Sequence, residues 1–467
     1  MSEKKYNLTK ALSWYTIGNI LVKSINFLTL RLFTSLMSTA DYGVFGLFQS
    51  YLAIFEIAIL LGTSHTIKMV KYDDEVDYDR YVSSIITIPI IGTFLSTLIL
   101  LVYSRISDIL FDLSVNIWLA LLVTSGLIAV VNIISAKLIL EGKYKAFIVY
   151  SLINTLVNIT VSILLCYTIF NTHDTYWARI YGGIASNVAS IFFLCFFMNY
   201  KPISFSYIKK GTLLGLPLLV HAIATQVLVQ SDKIIINDLA SLSEVGIYTV
   251  AATIVIIPTT LMASIESSWS PWYFKELSEK NYVELRKKNN TIVAAYAALI
   301  ILFIFATPEI VRIITDQKYW DAIYILIPLS IATFAELVYL IPLNLELYYK
   351  KNNAIWIYTA SVVVFNIIMD IAGIKLFGYL AAAYVTCISR FLLFVLHYIR
   401  SKKIDNNSVF DLKIIILCIV SMFCSTFVCI MMNEMLIARW TIIATMLVFL
   451  GRYACCFYKK SKSVEER

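Results

Sequence analysis

Residues 226–248 read QVLVQSDKIIINDLASLSEVGIY. An apolar run that begins at Gly211 continues through Val227, Leu228 and Val229, then carries Asp232 and Lys233 side by side near its end. A short gap follows, and a second apolar run starts at Gly246. Two such runs read as membrane helices joined by a tight turn, since about 20 apolar residues span the hydrocarbon core. Ionised side chains in a span are costly and usually face a partner or a water-filled space.

The same reading extends along all 467 residues, of which 60% are hydrophobic and 15% charged. Soluble domains average about 45–50% and 25%. Open strands cannot satisfy their backbone groups in lipid, so the apolar runs are helices. The pattern predicts an all-α integral membrane protein with fourteen transmembrane helices, at 11–36, 43–67, 81–103, 115–138, 146–170, 177–199, 211–239, 246–270, 290–311, 322–347, 354–373, 378–399, 412–432 and 436–457. The connections are short, leaving no room for a separate hydrophilic catalytic domain. The first run is long and lacks a small-residue cleavage site, which marks it as a retained helix.

Basic residues supply the orientation. Of the 38 lysines and arginines, 28 fall in the two termini and the even-numbered connections, 6 in the opposite set (Arg179 among them) and 4 within spans. The positive-inside rule then places both termini in the cytoplasm. The net charge of +8 is accordingly a topology signal, and no nucleic-acid partner is expected.

A repeat organises the helices. RLFTSLMSTADYGVFGLF, from Arg31, matches KIIINDLASLSEVGIYTVA, from Lys233. Asp41-Tyr42-Gly43-Val44-Phe45 answers Glu244-Val245-Gly246-Ile247-Tyr248 about 203 residues later, and Asn154 and Asn158 answer Asn366 and Asp370. Two six-helix lobes follow, 1–200 and 201–400, in parallel orientation about a pseudo-two-fold axis along the membrane normal. Residues 401–467 add two further helices and a cytoplasmic tail.

These segments, with SSWSPWYF at 267–274, resemble the bacterial polysaccharide flippases (O-antigen or capsule type) of the multidrug/oligosaccharidyl-lipid/polysaccharide exporter superfamily. The resemblance covers essentially the whole chain. It implies a MATE-like fold whose lobes face a central cavity that opens alternately to either side. It also implies an undecaprenyl-pyrophosphate-linked oligosaccharide as cargo, the cytoplasmic membrane as location, and a polymerase and glycosyltransferases as pathway partners. A multidrug exporter or a peptidoglycan-precursor lipid flippase would share the fold. A membrane-embedded polysaccharide polymerase or ligase would need larger outer loops than these.

Intramembrane ionisable residues are the candidate site. Lys23 and Arg31, eight residues apart, lie on nearly one helix face, and Arg390 is mid-span in the twelfth helix. Such cations bind phosphate oxygens by charge-assisted hydrogen bonds. Asp232 and Lys233 either line the cavity with them or form a structural pair, and Arg31 and Lys233 could instead snorkel to the interface. Glu56 and Glu336 either balance the cations or bind a coupling ion. His221 is either a hydrogen-bonded core residue or a proton relay. Pro217 and Pro258, flanking the start of the second repeat, are candidate hinges. The eight cysteines show no zinc spacing. The pair Asp77-x-Asp79 reads as part of a solvated acidic loop, and there is no P-loop. No metal and no cofactor are expected.

Overall fold

The computed structural model describes residues 24–448, apart from positions 26, 72, 74, 111, 112, 172, 352–354 and 406 and the side chains at 65, 217, 218, 220 and 221. Chain contacts divide into two compact units that meet between Thr249 and Val250. The first contains α1 (Phe27–Leu36), α2 (Thr39–Leu60), α3 (Thr63–Val70), α4 (Tyr78–Ile85) and α5 (Thr87–Tyr103). A two-residue antiparallel pair, β1 (Ile109–Leu110) with β2 (Leu113–Ser114), leads into α6 (Val115–Leu140), α7 (Tyr144–Thr168) and α8 (Tyr176–Cys195). The unit closes with the 35-residue α9 (Phe205–Leu239) and the start of α10 (Leu242–Ile254). The second unit carries α11 (Ile256–Ser278), α12 (Tyr282–Ile314), α13 (Ala322–Tyr348), α14 (Ile355–Phe377), α15 (Ala381–Ile404), α16 (Leu412–Met431) and α17 (Leu436–Val448).

Among the described residues, eleven helical segments are long and apolar enough to cross a membrane. The chain is a multi-pass membrane protein. Large apolar side chains such as Phe94, Ile99, Phe192 and Phe423 stand exposed on these helices, as a lipid solvent permits. Helix α13 is the contrast, with 83% of its apolar window buried. It is the core of the second unit, packed against α11, α12 and α15.

Three expected spans are interrupted, each for an identifiable reason. The span expected at 43–67 breaks at Leu61 and Gly62, with φ of 48° and 71°. Left-handed backbone is unfavourable for leucine, and the contact beneath the turn holds it. A Cβ on Gly62 would lie 2.3 Å from the carbonyl oxygen of Gly215 on α9, and one on Gly215 would lie 2.3 Å from that of Leu61. The other breaks precede prolines. Helix α5 starts two residues before Pro89, and α11 two before Pro258. A missing N–H does no harm in a first helical turn, so the chain restarts there. The Pro258 carbonyl accepts a hydrogen bond from the Tyr296 hydroxyl at 2.9 Å. Position 217, by contrast, lies inside continuous α9.

The repeated motif packs on its own counterpart. Ser38 caps α2 by accepting from the Asp41 amide at 3.0 Å, and its hydroxyl donates to the Asp41 carboxylate at 2.9 Å. Ser241 does the same for α10, at 3.4 Å to the Glu244 amide and 2.9 Å to its carboxylate. The two capped helix starts then cross at glycine. A Cβ on Gly43 would fall 1.8 Å from the Leu242 carbonyl oxygen, and one on Gly246 would fall 2.0 Å from that of Thr39. The residues correspond at a constant offset of 203 positions, 39 with 242 and 43 with 246. Only hydrogen at Cα lets two backbones approach this closely.

The helices beyond the repeat are fastened to α12. Asp411, preceding α16, pairs with Arg286, accepts from the Asn290 amide group at 2.7 Å and donates its own backbone N–H to Asn290 at 2.9 Å. The hydrogen-bonded Arg286 guanidinium holds the Asp411 carboxyl below the usual carboxylate range. A depressed folded-state pKa contributes stability above the unfolded value, which is lost as pH falls through the folded one. The fastening should therefore hold down to a pH of about 4 and weaken below it. Asp411→Asn should loosen it already at neutral pH, read as faster protease cleavage of the 405–410 connection.

Candidate functional site

Asp232 and Lys233 are 4% and 9% exposed, so Lys233 does not reach an interface from this position. The Asp232 carboxylate accepts from the Tyr248 hydroxyl on α10. The Lys233 ammonium donates to Gln230 Oε1 at 3.3 Å, and the same oxygen accepts from Ser50 of α2 at 3.1 Å. The two adjacent charges thus fasten α9 to α10 directly and to α2 through Gln230, beside the glycine crossing. Arg31 stands exposed on α1. Lys23 and the side chains of His221 and Pro217 lie outside the described residues.

Glu56 of α2 accepts a hydrogen bond from Asn132 of α6. Asn132 is part of a polar seam inside the first unit. On α7, Ser151, Asn154, Thr155 and Asn158 follow the spacing i, i+3, i+4, i+7, which lays them along one face. On α8, Gly183, Ser186, Asn187 and Ser190 do likewise. The Asn154 amide donates to Ser190 at 3.0 Å and to Asn187 at 3.4 Å. These faces, with α2 and α6, enclose a cavity of about 370 Å³. Among the described residues, its one charged lining residue is Arg179. The guanidinium lies 4.0 Å from the Phe33 ring centroid and 4.8 Å from that of Phe45, and Nη1 donates to Asn158 Oδ1 at 3.3 Å.

Sequence reasoning missed Arg179, which it counted with the outer-loop cations. The residue lies three positions into α8, and its spacing from Gly183, Ser186 and Ser190 places it on the seam's face. That spacing, within an expected span of 177–199, was the available signal.

In the second unit, Arg390 of α15 meets Glu336 of α13 at 3.4 Å, with the side chains 21% and 30% exposed. Glu266 of α11 lies close enough to Glu336 for their charges to interact. A seam recurs here: Asn366 of α14 donates to Ser389 of α15 at 3.2 Å, as Asn154 of α7 does to Ser190 of α8. Asp370, the counterpart of Asn158, is fully buried one turn further on. A second cluster was also missed. His397 Nδ1 and Glu346 Oε1, both fully buried, lie 2.8 Å apart, and Arg400 Nε is 3.2 Å from the other carboxylate oxygen. Those residues sit at or near the ends of the expected spans, where charges read from sequence as topology markers.

Two helical units, many membrane-length helices and polar seams buried within each define a polytopic membrane protein. Solved structures agree on the fold. A lipid II flippase, MurJ, in an inward closed conformation superposes with a TM-score of 0.70 at 15% identity, over 96% of this chain and 100% of that one. An inward-facing multidrug resistance MATE family transporter of the MOP superfamily gives 0.64 at 13% identity, over 84% and 97%. The curated Lsg locus putative protein 1 of Haemophilus influenzae is 24% identical over 367 residues, spanning 73% of this chain and 85% of that protein. Residues 8–277 match the polysaccharide biosynthesis protein family, and the chain belongs to it.

Proposed function

We propose that the protein is a flippase that moves an undecaprenyl-pyrophosphate-linked oligosaccharide from the cytoplasmic to the outer leaflet by alternating access. One observation carries the reading: a chain of the polysaccharide biosynthesis family shares its fold, end to end, with a protein described as a lipid II flippase. A saccharide carried on a lipid joins the two. Its location would be the bacterial cytoplasmic membrane with both termini inside, as the basic residues indicate. A polymerase and glycosyltransferases would be its pathway partners, and the flippase itself makes no glycosidic bond.

A pyrophosphate has no favourable place in hydrocarbon, so fixed cations must lower its barrier. Lys23, Arg31 and Arg390 are assigned that task. Arg390 is engaged by Glu336, and Glu266 adds a second acid nearby. Its guanidinium therefore serves the cargo by exchanging carboxylate for phosphate, which leaves Glu336 to balance charge in the empty state. Asp232 and Lys233, held by Tyr248 and Gln230, position helices instead of touching cargo.

Lys23→Ala and Arg390→Ala should each abolish surface polymer while the protein inserts at normal levels, as judged by immunoblot of membranes. Deleting the gene should leave drug sensitivity unchanged. Full polymer from both variants would defeat the reading, and drug hypersensitivity on deletion would favour a multidrug exporter.

A further inference from the structure

The cavity of the first unit sets one cation among amides and hydroxyls. Arg179 carries five N–H donors. Nη1 meets Asn158, two aromatic rings cover the guanidinium, and Nε is buried without a hydrogen-bond partner among the described residues. Among those residues no carboxylate comes within 4.0 Å of it. Asp41, on the neighbouring helix start, accepts from Ser38 and Thr175 instead, each at 2.9 Å. Glu56 reaches the cavity wall only through Asn132. A half-buried cation with a buried, unpartnered Nε and no counter-charge among the described residues is disfavoured, yet beside this one lies a cavity of about 370 Å³ walled by amides and hydroxyls. That space exceeds the share of a single water, about 30 Å³, roughly tenfold.

We propose that this cavity binds a monovalent anion, either chloride or the carboxylate of an acidic sugar, whose charge is met by Arg179 and whose remaining contacts come from the seam's amides and hydroxyls. The site lies within one helical unit, and its occupancy is measurable on the purified chain whether or not the transport reading holds.

The test is thermal unfolding of the full-length protein in detergent, followed by tryptophan fluorescence in chloride-free HEPES buffer at constant ionic strength. Chloride, glucuronate or glucose is then added. One of the two anions should raise the unfolding midpoint saturably, as a ligand of the native state does, and glucose should not. Tighter binding of glucuronate by tenfold or more would identify a sugar acid as the ligand, and the reverse order an inorganic ion. Arg179→Gln should weaken the response at least tenfold. Asn158→Asp is the sharper variant, because it sets a permanent carboxylate against the guanidinium. It should be more stable than wild type without added anion and unresponsive to either one. No saturable response in wild type, or a wild-type response retained in Asn158→Asp, overturns the proposal. Should Arg179→Gln fail to fold, Asn158→Asp decides alone.

Discussion

Valine at position 246 is expected to lower the unfolding temperature sharply, and valine at position 43 should do the same. At both positions the first carbon beyond Cα falls within 2.0 Å of a carbonyl oxygen in the opposite repeat. That atom belongs to backbone and cannot rotate aside. The helix starts must separate, and with them go the buried contacts of Tyr42, Val245 and Tyr248 and the bridge from Ser50 to Gln230. Overpacking by side chains alone costs about 1–3 kcal/mol. A backbone collision at a crossing of two buried helices should exceed that range. Gly378 provides the control. Its φ is +79°, and nothing lies within 4 Å of a Cβ built there. Gly378→Ala meets only left-handed strain, about 1–2 kcal/mol. Thermal unfolding in detergent ranks the three; equal losses at 246 and 378 would mean that the crossing tolerates separation.

The second large effect is expected in the first turn of α4. Lys137 is 1% exposed and lies 2.5 Å from Asp79 and 3.5 Å from Glu141. Asp79→Ala strands a buried ammonium with a single, more distant acid, a loss of about 3–5 kcal/mol. Lys137→Met should cost less, although the same pair is broken. Asp79 is 28% exposed and also accepts from Asn199 at 3.1 Å, while Glu141 keeps Lys143 at 2.6 Å. Both acids can rehydrate, and methionine fills the lysine's place. Unfolding midpoints for the two variants give the order directly, and a larger loss in Lys137→Met would reverse the assignment of which charge is trapped.

Sequence and structure agree where the bilayer does the dictating. A helix must satisfy its backbone and cover about 30 Å, so spans are visible as apolar runs. The repeat was visible too, because Gly43 and Gly246 keep matching neighbours. What sequence could not show is set by distant contacts. Leu61 adopts a left-handed conformation because Gly215, over 150 residues later, lies beneath the turn. The stretch KYDDEVDYDR reads as a solvated acidic loop, yet Asp77 caps α4, Asp73 meets Lys210 at 2.8 Å and Asp79 meets buried Lys137. The candidate site was half legible for the same reason. Arg390 and Glu336 lie mid-span and drew attention by their depth. Arg179, His397 and Glu346 lie near the ends of their expected spans, where a charge is cheap in water, and only packing reveals the cavity beside the first and the full burial of the other two.

Thr39 touching the copy of Gly43, and Gly43 touching the copy of Thr39, is the pattern that two identical chains make when they meet about a dyad. The two close approaches are therefore equivalent, and a side chain at either glycine opens the same crossing from opposite sides.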